Sequence, residues 1–529
     1  MSDCPRQTNV EPVSRGEGPR AEDVDILITA EEAYPTFERA VLDAKTSIDA
    51  GFRIFDMSTT LRDAGARAVG HDWFDLLLDA ARRGVSIRIV LSDFDPVVAT
   101  ELHGGTWRTI RQAAALRELA PPGARIDISA SLHPASIGLA ARVALWPKVL
   151  IIMSERVRSI AKHGEAGIAR FLSRHPNFAR RVARSGDRIT PRRWPPPILW
   201  PVTHHQKVAV IDEAVTYIGG LDLNERRWDT WAHDRPAAET WHDVQLLVRH
   251  PQTARAVAAH LGSFTDAIEG AEPVELPDWL MRTLSARLDD RPMLMAPRVV
   301  RTEIETALLE GIAAARRQIY IETQFLRDRR IAKALAAAAR RNPDLTLIVM
   351  LPGAPEDVAF NRSKRSDARF GEYLQASCIR RLRRSYRGRL FVGAPVRPVT
   401  AQGGGRSVLF GAPLIYVHAK VTIFDDDLAV VGSANLNGRS LRWDTELAIA
   451  LRDPAAVRRL RHRCMQHMWA GEATDEMLDG PGSVRAWQHA ARRNVDLRPE
   501  DRVGFVVPYL SRPARRFGRS LPAVPEEMV

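Results

Sequence analysis

Residues 205–224 read HQKVAVIDEAVTYIGGLDLN, and residues 418–437 read HAKVTIFDDDLAVVGSANLN. The two stretches align over twenty positions without a gap, and His, Lys, Asp, Gly and Asn recur in register. Further along the chain, DVQLLVRHP at 243–251 aligns with ELAIALRDP at 446–454. Self-similarity on this scale indicates a duplicated structural unit.

Each copy predicts the same order of elements, in which apolar-periodic helices alternate with short strands rich in Val, Ile and Leu. This alternation predicts the α/β class, with two tandem repeats, each a mixed β-sheet flanked by helices, packed about a pseudo-two-fold axis. The predicted organisation is a polar tail over 1–24, a first repeat over 25–265, a connector over 276–297, a second repeat over 298–475 and a C-terminal extension over 480–529.

The composition is that of a globular protein. The 529 residues are 45% hydrophobic and 26% charged, which excludes a mainly disordered chain, and the Gly and Pro contents exclude a collagen-like repeat. The three cysteines, Cys4, Cys378 and Cys464, are too few and too far apart for a disulfide scaffold or a CxxC metal site.

Neither a secretory signal nor a transmembrane helix is predicted. The first residues are polar, and no window offers eighteen uninterrupted apolar residues. The most apolar stretch, 139–153, is interrupted by Arg142, Pro147 and Lys148, so we predict a buried or interfacial element there. These features favour a cytoplasmic location.

The net charge of +12 is concentrated in two segments. Residues 154–195 contain eleven Arg or Lys and three Asp or Glu, and residues 361–389 contain ten and two, so each segment carries +8 and the rest of the chain −4. Both are basic inserts that precede the HxK stretch of their repeat, and we expect them to lie on one face, beside the pocket. Such segments usually bind phosphate in nucleic acid, anionic lipid or a phosphorylated substrate, but a solvated arginine-rich surface is the alternative explanation.

The chemistry of the repeat lies in the pattern H-x-K-x4-D, which occurs once in each copy. Its members are His205, Lys207 and Asp212, and His418, Lys420 and Asp425. Only seven lysines occur in the chain, and two of them fall in these patterns. A lone histidine is usually a core residue, whereas two copies with identical spacing indicate function.

Strand geometry assigns different roles within the motif. Side chains two residues apart on a strand share a face, so His and Lys project together, whereas the Asp points to the other face roughly 20 Å away. We therefore predict that Asp212 and Asp425 support the motif structurally, by closing the turn after the strand. A catalytic imidazole needs an acceptor on its second ring nitrogen, and the best candidates are Asp243 and Glu446, which match in register.

The end of each twenty-residue stretch predicts contacts to a phosphate group. Gly220 allows close backbone approach, and Ser433 occupies the equivalent position. Asn224 and Asn437 supply side-chain amides that can orient phosphate oxygens.

Two equivalent half-sites become one site when the repeats pack about a pseudo-two-fold axis. One imidazole then attacks phosphorus while the other protonates the departing oxygen, and Lys207 and Lys420 hold the non-bridging oxygens. This constellation suits a phosphodiester and requires neither a metal nor another cofactor. A zinc site through the His204-His205 doublet is a minor alternative, since adjacent strand residues point in opposite directions.

The motifs resemble those of the phospholipase D superfamily, whose members carry two HxKxxxxD motifs, each followed by Gly-Gly or Gly-Ser and an Asn. Within that superfamily, IYIETQFL at 319–326 resembles the IYIENQFF block of phosphatidylcholine-type phospholipases D, with Thr323 and Leu326 in place of Asn and Phe.

The resemblance implies hydrolysis of the distal phosphodiester of glycerophospholipids to phosphatidic acid and a free head group. His205 would form a phosphohistidine, and His418 would serve first as the acid and then as the base that activates water. An alcohol in place of water would give transphosphatidylation. The implied partners are a phospholipid substrate and an anionic membrane surface, to which the protein would bind peripherally.

Three other functions are compatible with the sequence. A cardiolipin synthase-like phosphatidyltransferase shares the motifs, although the N-terminal membrane helices of that group are not predicted here. A nuclease or other phosphodiesterase of the superfamily would explain the basic segments, but aromatic residues for base stacking are sparse, so nucleic acid is not expected as a partner. A non-enzymatic membrane-binding or scaffolding protein would not need both intact His-Lys pairs.

Overall fold

The computed structural model describes residues 17–287, 297–522 and 524–529. Most of the predicted polar tail and residues 288–296 of the predicted connector lie outside the described residues. Two large mixed β-sheets, one in each half of the chain, form the centre of the molecule, with helices packed around them. The prediction of a duplicated α/β architecture with a mixed sheet in each half is confirmed.

The elements of the first half alternate as the sequence predicts. Its strands are β1 Val24–Ile28, β2 Ser47–Phe52, β3 Ser86–Ser92, β4 Ile126–Ser131, β5 Val182–Ser185, β6 Arg188–Pro191, β7 Lys207–Ile211, β8 Val215–Gly219 and β9 Val244–Val248. Its helices are α1 Thr29–Asp43, α2 Ala64–Val69, α3 Trp73–Arg82, α4 Thr100–Leu119, α5 Leu139–Ala161, α6 Gly164–Arg174, α7 Pro176–Ala179 and α8 Pro251–Glu269.

The second half repeats this order with additions. Its strands are β10 Leu280–Ala286, β11 Arg298–Thr302, β12 Gln318–Thr323, β13 Thr346–Met350, β14 Leu390–Pro395, β15 Val408–Leu409, β16 Ala412–Pro413, β17 Lys420–Phe424, β18 Leu428–Gly432, β19 Glu446–Leu451 and β20 Val506–Pro508. Its helices are α9 Glu303–Ala314, α10 Arg329–Arg341, α11 Glu356–Ala359, α12 Ser366–Tyr386, α13 Gly438–Arg442, α14 Pro454–Met468, α15 Asp475–Leu478, α16 Ser483–Asp496 and α17 Ser511–Phe517.

The two sheets have equivalent strand orders. The first is β1-β9-β8-β7-β2-β3-β4, and the second is β11-β10-β19-β18-β17-β12-β13-β14-β20. In each sheet the motif strand, β7 or β17, runs antiparallel to β2 or β12, which in turn is parallel to β3 or β13. Both motif strands are buried at all five positions, as expected for central strands covered on both faces.

Strand register brings both HxK motifs to the same kind of sheet edge. Phe52 at the end of β2 pairs with Lys207, and Thr323 at the end of β12 pairs with Lys420. We call the edge formed by the ends of β2 and β12 and the starts of β7 and β17 the site edge. Apolar residues of both sheets belong to one continuous core, so the repeats are packed together rather than tethered.

The first basic insert, 154–195, lies at the site edge. Strand β4 is parallel to β3 and β2, so it ends at the site edge, at Ser131. The chain returns to the same edge where β7 starts. Residues 132–206 therefore form a unit over this edge that contains α5, α6, α7 and the β5-β6 hairpin, with a small core of its own.

The second basic insert, 361–389, does not lie wholly at the site edge, contrary to the expectation that both inserts flank the pocket. Helix α12 begins near that edge, after β13, and ends where β14 starts at the opposite edge. Over its 21 residues the helix spans about 30 Å, so its C-terminal arginines lie far from the motifs.

Two segments that the sequence suggested were peripheral belong to the second sheet. The predicted connector contains β10, which pairs with β19 and β11 inside the sheet. The predicted C-terminal extension contributes β20, which pairs with β14 at the sheet edge. The sequence of β10 shows no alternation of apolar and polar residues that would predict a strand, because both faces of β10 are buried and its polar residues, including Arg282, are buried with the apolar ones.

Candidate active site

The two HxK motifs are held together by hydrogen bonds that cross between the repeats. His205 N donates to Thr445 O at 2.8 Å, and His418 N donates to His242 O at 2.7 Å. Each motif therefore contacts the segment just before the last strand of the other repeat. Such reciprocal contacts are what a two-fold arrangement of similar units produces.

The carboxylate partners of the two histidines are also exchanged between repeats. His205 Nδ1 lies 2.9 Å from Glu446 Oε1, and His418 Nδ1 lies 2.6 Å from Asp243 Oδ2. Both carboxylates are fully buried. A carboxylate on Nδ1 holds the proton there and leaves Nε2 as the ring nitrogen available for chemistry.

Burial dominates the electrostatics of the cluster. Burial, followed by the nearby Lys207, lowers the pKa of His205 well below its ordinary value, and burial followed by Lys420 does the same for His418. Burial also raises the pKa of Glu446, an effect that the neighbouring Lys207 opposes, and lowers the pKa of Lys420 to about 7. The groups lie close enough to titrate as one coupled set.

Gly220 and Ser433 lie against the carboxylates that bind the two histidines. A Cβ at Gly220 would come within 2.2 Å of Asp243 Oδ1, so only glycine admits that carboxylate. In the second repeat the Ser433 hydroxyl donates to Glu446 Oε2 instead. Both positions therefore help to place the carboxylates, and their predicted phosphate contacts stay a prediction.

The two predicted phosphate-binding asparagines are helix caps. Asn224 Oδ1 accepts from Arg227 N at 3.1 Å, and Asn437 Oδ1 accepts from Ser440 N at 3.0 Å. Asn437 also donates from Nδ2 to Val529 O at 3.3 Å, which uses one of its two amide N–H groups. Asn and Asp are strongly favoured at this position because the side-chain oxygen satisfies a free backbone N–H.

The motif aspartates lie at the far end of their strands, away from the histidines. Asp212 accepts hydrogen bonds from the backbone N–H groups of Lys45, Thr46 and Ser47 at 2.7–3.0 Å. Asp425 makes the equivalent set to residues 316–318 at 2.7–2.8 Å. Each carboxylate thereby ties its strand to the loop that enters β2 or β12.

The comparisons with known proteins concern the family and the fold. A family described as "Cardiolipin synthase, PLD-like domain" matches residues 308–469. Phospholipase D1 of Schizosaccharomyces pombe is 25% identical over 61% of this chain and 28% of its own length, and cardiolipin synthase A of Pseudomonas putida is 25% identical over 49% and 46%. The crystal structure of phosphatidylserine synthase from Haemophilus influenzae shares the fold, with a TM-score of 0.50 and 13% identity over 90% of this chain and 94% of that one.

The chain carries a PLD-like domain over residues 308–469 and resembles the phospholipase D superfamily. It spans less than half the length of these curated relatives. These relatives are named phospholipase D and cardiolipin synthase, and the two names do not describe one reaction.

Sequence reasoning missed several charged and polar residues near the two motifs. Asp222 and Asn435 hold equivalent buried positions in the twenty-residue alignment, and Asp222 Oδ1 lies 3.7 Å from Lys207 Nζ. The alignment itself was the signal, since these residues lie two positions before the asparagines that were chosen. Arg53 and Arg439 add positive charge near His205. Arg439 aligns with Arg226 two positions beyond the asparagines, whereas Arg53 aligns with no arginine in the second repeat.

The contacts of His204 bear on the zinc alternative. The His204 ring bonds Thr445 Oγ1 through Nδ1 and Ser131 Oγ through Nε2, both at 3.0 Å, so both nitrogens are occupied and the doublet does not form a metal site. Within the described parts of the chain, no helix combines the length and the apolar character needed to cross a bilayer.

Proposed function

We propose that the protein is a phospholipase D-type phosphodiesterase in which His205 Nε2 attacks the phosphorus of a phospholipid. The observation that carries the proposal is the pair of crossed His-carboxylate contacts, which orient two imidazoles in one buried, lysine-lined site. In the first step a P–N bond forms and the P–O bond to the head group breaks. His418 Nε2 gives its proton to the departing oxygen, which leaves as an alcohol.

The second step restores the enzyme. A water molecule gives a proton to His418 Nε2 and attacks phosphorus, and the P–N bond breaks to release phosphatidic acid and His205. A lipid or simple alcohol entering in place of water would yield a new phosphodiester. The names of the relatives, phospholipase D and cardiolipin synthase, support both outcomes for a shared intermediate.

Substrate charge supports these protonation states. In the unliganded site burial lowers the pKa values of both imidazoles, so His205 is neutral, as a nucleophile must be. A phosphodiester brings one negative charge, and an opposite charge within a few ångströms favours a protonated imidazole. Binding therefore promotes protonation of His418, while Lys207 and Lys420 offset the charge that grows on the non-bridging oxygens.

We further propose that the unit over the site edge docks on an anionic bilayer. Its helix α5 exposes an apolar face at Leu139, Val143 and Ile151, the last of which is 59% exposed. Trp194 is 72% exposed and packs edge-on against Trp146 of this helix at 5.8 Å. Tryptophan is favoured at membrane interfaces because its ring is apolar and its N–H is polar.

Basic residues flank this apolar face and complement anionic head groups. Arg192 and Arg193 are exposed directly before Trp194, and Lys148 lies within the apolar stretch of α5. Lys148 Nζ donates to Ser366 Oγ at the start of α12. The first turn of α12, which belongs to the second basic insert, therefore adjoins the same surface. Each such residue near an anionic surface contributes about 1 kcal/mol before salt screening.

The test of the reaction is to trap the covalent intermediate. With a radiolabelled short-chain phospholipid and rapid acid-free quenching, label should appear on the peptide that contains His205. His418→Ala should let label accumulate, because the second step lacks its base, and His205→Ala should carry none. Products formed with and without added ethanol report the share of transfer. A label carried only by His418, or turnover by His205→Ala equal to that of the unaltered protein, would reject the assignment.

A further inference from the structure

Three buried histidines converge behind the active site. They are His233, in the loop before β9, His242, directly before Asp243, and His467, on α14. One ring nitrogen of each lies within 4.8 Å of a ring nitrogen of both others. The His242 and His467 rings are nearly parallel at 4.9 Å, and the His233 ring meets His467 edge-on at 5.0 Å.

The outer nitrogen of each ring is bonded to an oxygen that can only accept. The three contacts are His233 Nδ1 to Asp229 Oδ2 at 2.5 Å, His242 Nε2 to Glu322 Oε2 at 2.6 Å, and His467 Nε2 to the carbonyl oxygen of Trp231 at 3.1 Å. Each of these outer nitrogens must therefore carry the proton. In a neutral imidazole the other nitrogen is then a bare lone pair.

The inner nitrogens thus bring lone pairs together. Within the described residues, neither His242 Nδ1 nor His467 Nδ1 has a hydrogen-bond partner, and both atoms are buried. Lone pairs facing one another in a buried site repel and are left without the donors that water would have supplied. Only a cation among them satisfies all three rings at once.

The charge around the cluster also calls for a cation. Asp229 and Glu322 are fully buried, and each has a histidine as its only ion-pair partner among the described residues. With neutral imidazoles the cluster carries two uncompensated buried carboxylates. A divalent ion would balance this charge.

We propose that His233, His242 and His467 bind a divalent transition-metal ion, best matched by zinc, with water as its fourth ligand. Imidazole nitrogens suit zinc, and ligating histidines typically donate their other N–H to a carboxylate or a backbone carbonyl, as all three do here. Zn–N bonds of about 2.0–2.1 Å in a tetrahedron place the nitrogens about 3.4 Å apart, so closure needs ring shifts of about an ångström.

The site is a positioning device rather than part of the reacting centre. Successive side chains of an extended segment point in opposite directions, so Asp243 faces His418 while the preceding His242 faces the cluster. The carbonyl oxygen of His242 accepts from His418 N. An ion held by His242 and His467 would lock the start of β9 in the first repeat to α14 in the second, and with it the Asp243-His418 contact.

Metal content of the full chain, purified without a histidine tag, tests this site. Mass spectrometry after dialysis against zinc and then against metal-free buffer should give about one zinc per chain. His467→Gln should fall below about a tenth of that. His260→Gln is the matched control, because His260 is a fully buried histidine on the equivalent helix α8 with one side-chain partner, Gln206. His205→Ala should keep full zinc, so the metal site is judged independently of the reaction.

Two further measurements complete the test. Cobalt-loaded protein should show the strong visible absorption of four-coordinate Co²⁺, whereas cobalt on surface carboxylates is six-coordinate and nearly colourless. Strong chelation should lower the melting temperature of the unaltered protein by several degrees and leave that of His467→Gln unchanged. If His467→Gln does not fold, His233→Gln and the cobalt spectrum decide. Less than a tenth of an equivalent of zinc in the unaltered protein, or full zinc in a folded His467→Gln, overturns the proposal.

Discussion

Replacing Asp425 with Asn should lower stability and spare the chemistry, although Asp425 belongs to the most recognisable motif in the chain. Its Oδ2 accepts from Arg316 N at 2.7 Å, and its Oδ1 accepts from Arg317 N and Gln318 N at 2.8 Å. Asn keeps one acceptor oxygen and turns the other into a donor that faces a backbone N–H. Asn also tolerates the positive φ of 52° at this position, so the backbone itself is not strained by the change.

The size of the effect follows from these bonds. A hydrogen bond to a charged acceptor contributes about 1.5–3 kcal/mol, and an unsatisfied buried donor costs about 1–3 kcal/mol. Losing one bond and weakening the others should therefore lower the free energy of unfolding by about 2–4 kcal/mol. For a cooperative unit the size of one repeat, that corresponds to a fall in melting temperature of about 5–15 °C.

Thermal melts followed by tryptophan fluorescence, with turnover measured well below the transition, provide the assay. Asp212→Asn should behave in the same way, since Asp212 holds the equivalent loop through the N–H groups of Lys45, Thr46 and Ser47. Glu213→Gln and Asp427→Asn are matched controls, because each is an exposed acidic residue in the same turn. A normal melting temperature combined with a hundredfold loss of turnover in Asp425→Asn would refute the strand-parity argument.

Three other predictions concern the site and its surroundings. Glu446→Gln and Asp243→Asn should lower kcat on a soluble short-chain phospholipid by about 10² or more with unchanged melting temperatures, because each removes the group that orients an imidazole; a loss under threefold in both would exclude that role. The kcat/KM of the free enzyme should fall as pH rises above about 7, because Lys420, whose pKa burial lowers to about 7, loses its proton and its hold on phosphate; a profile flat from pH 6 to 9 would contradict this. Ile151→Ser combined with Trp194→Ser should weaken binding to anionic vesicles about tenfold and leave turnover of the soluble substrate within twofold. Leu119→Ser is the control, because Leu119 is similarly exposed but lies at the opposite sheet edge, and it should change neither property. Equal vesicle binding by the unaltered protein and both variants would exclude the docking surface.

The sequence alone predicted two kinds of feature. One is the direction of a side chain within a single strand, and the other is the set of residues that match between the two copies. A strand has a period of two, so His205 and Lys207 had to share a face, and Asp212 had to lie at the other end of the strand. The matched register of the copies also pointed to Asp243 and Glu446. Duplication then predicted a mixed sheet in each half, which the strand orders confirm.

Other features depend on which distant segments meet, and only the tertiary structure decided them. The crossed partners lie 241 and 175 positions apart, so no local pattern distinguishes a partner in the same repeat from one in the other. The asparagines were predicted to bind phosphate through their amide groups, and the structure adds a capping role for their side-chain oxygens, which accept from backbone N–H groups three residues along the chain. The three-histidine cluster draws on a loop, a strand start and a helix that come together only when the repeats pack. The periodicity of an element determines the direction in which a side chain points. The residues that this side chain contacts depend on how whole elements pack their apolar faces against one another.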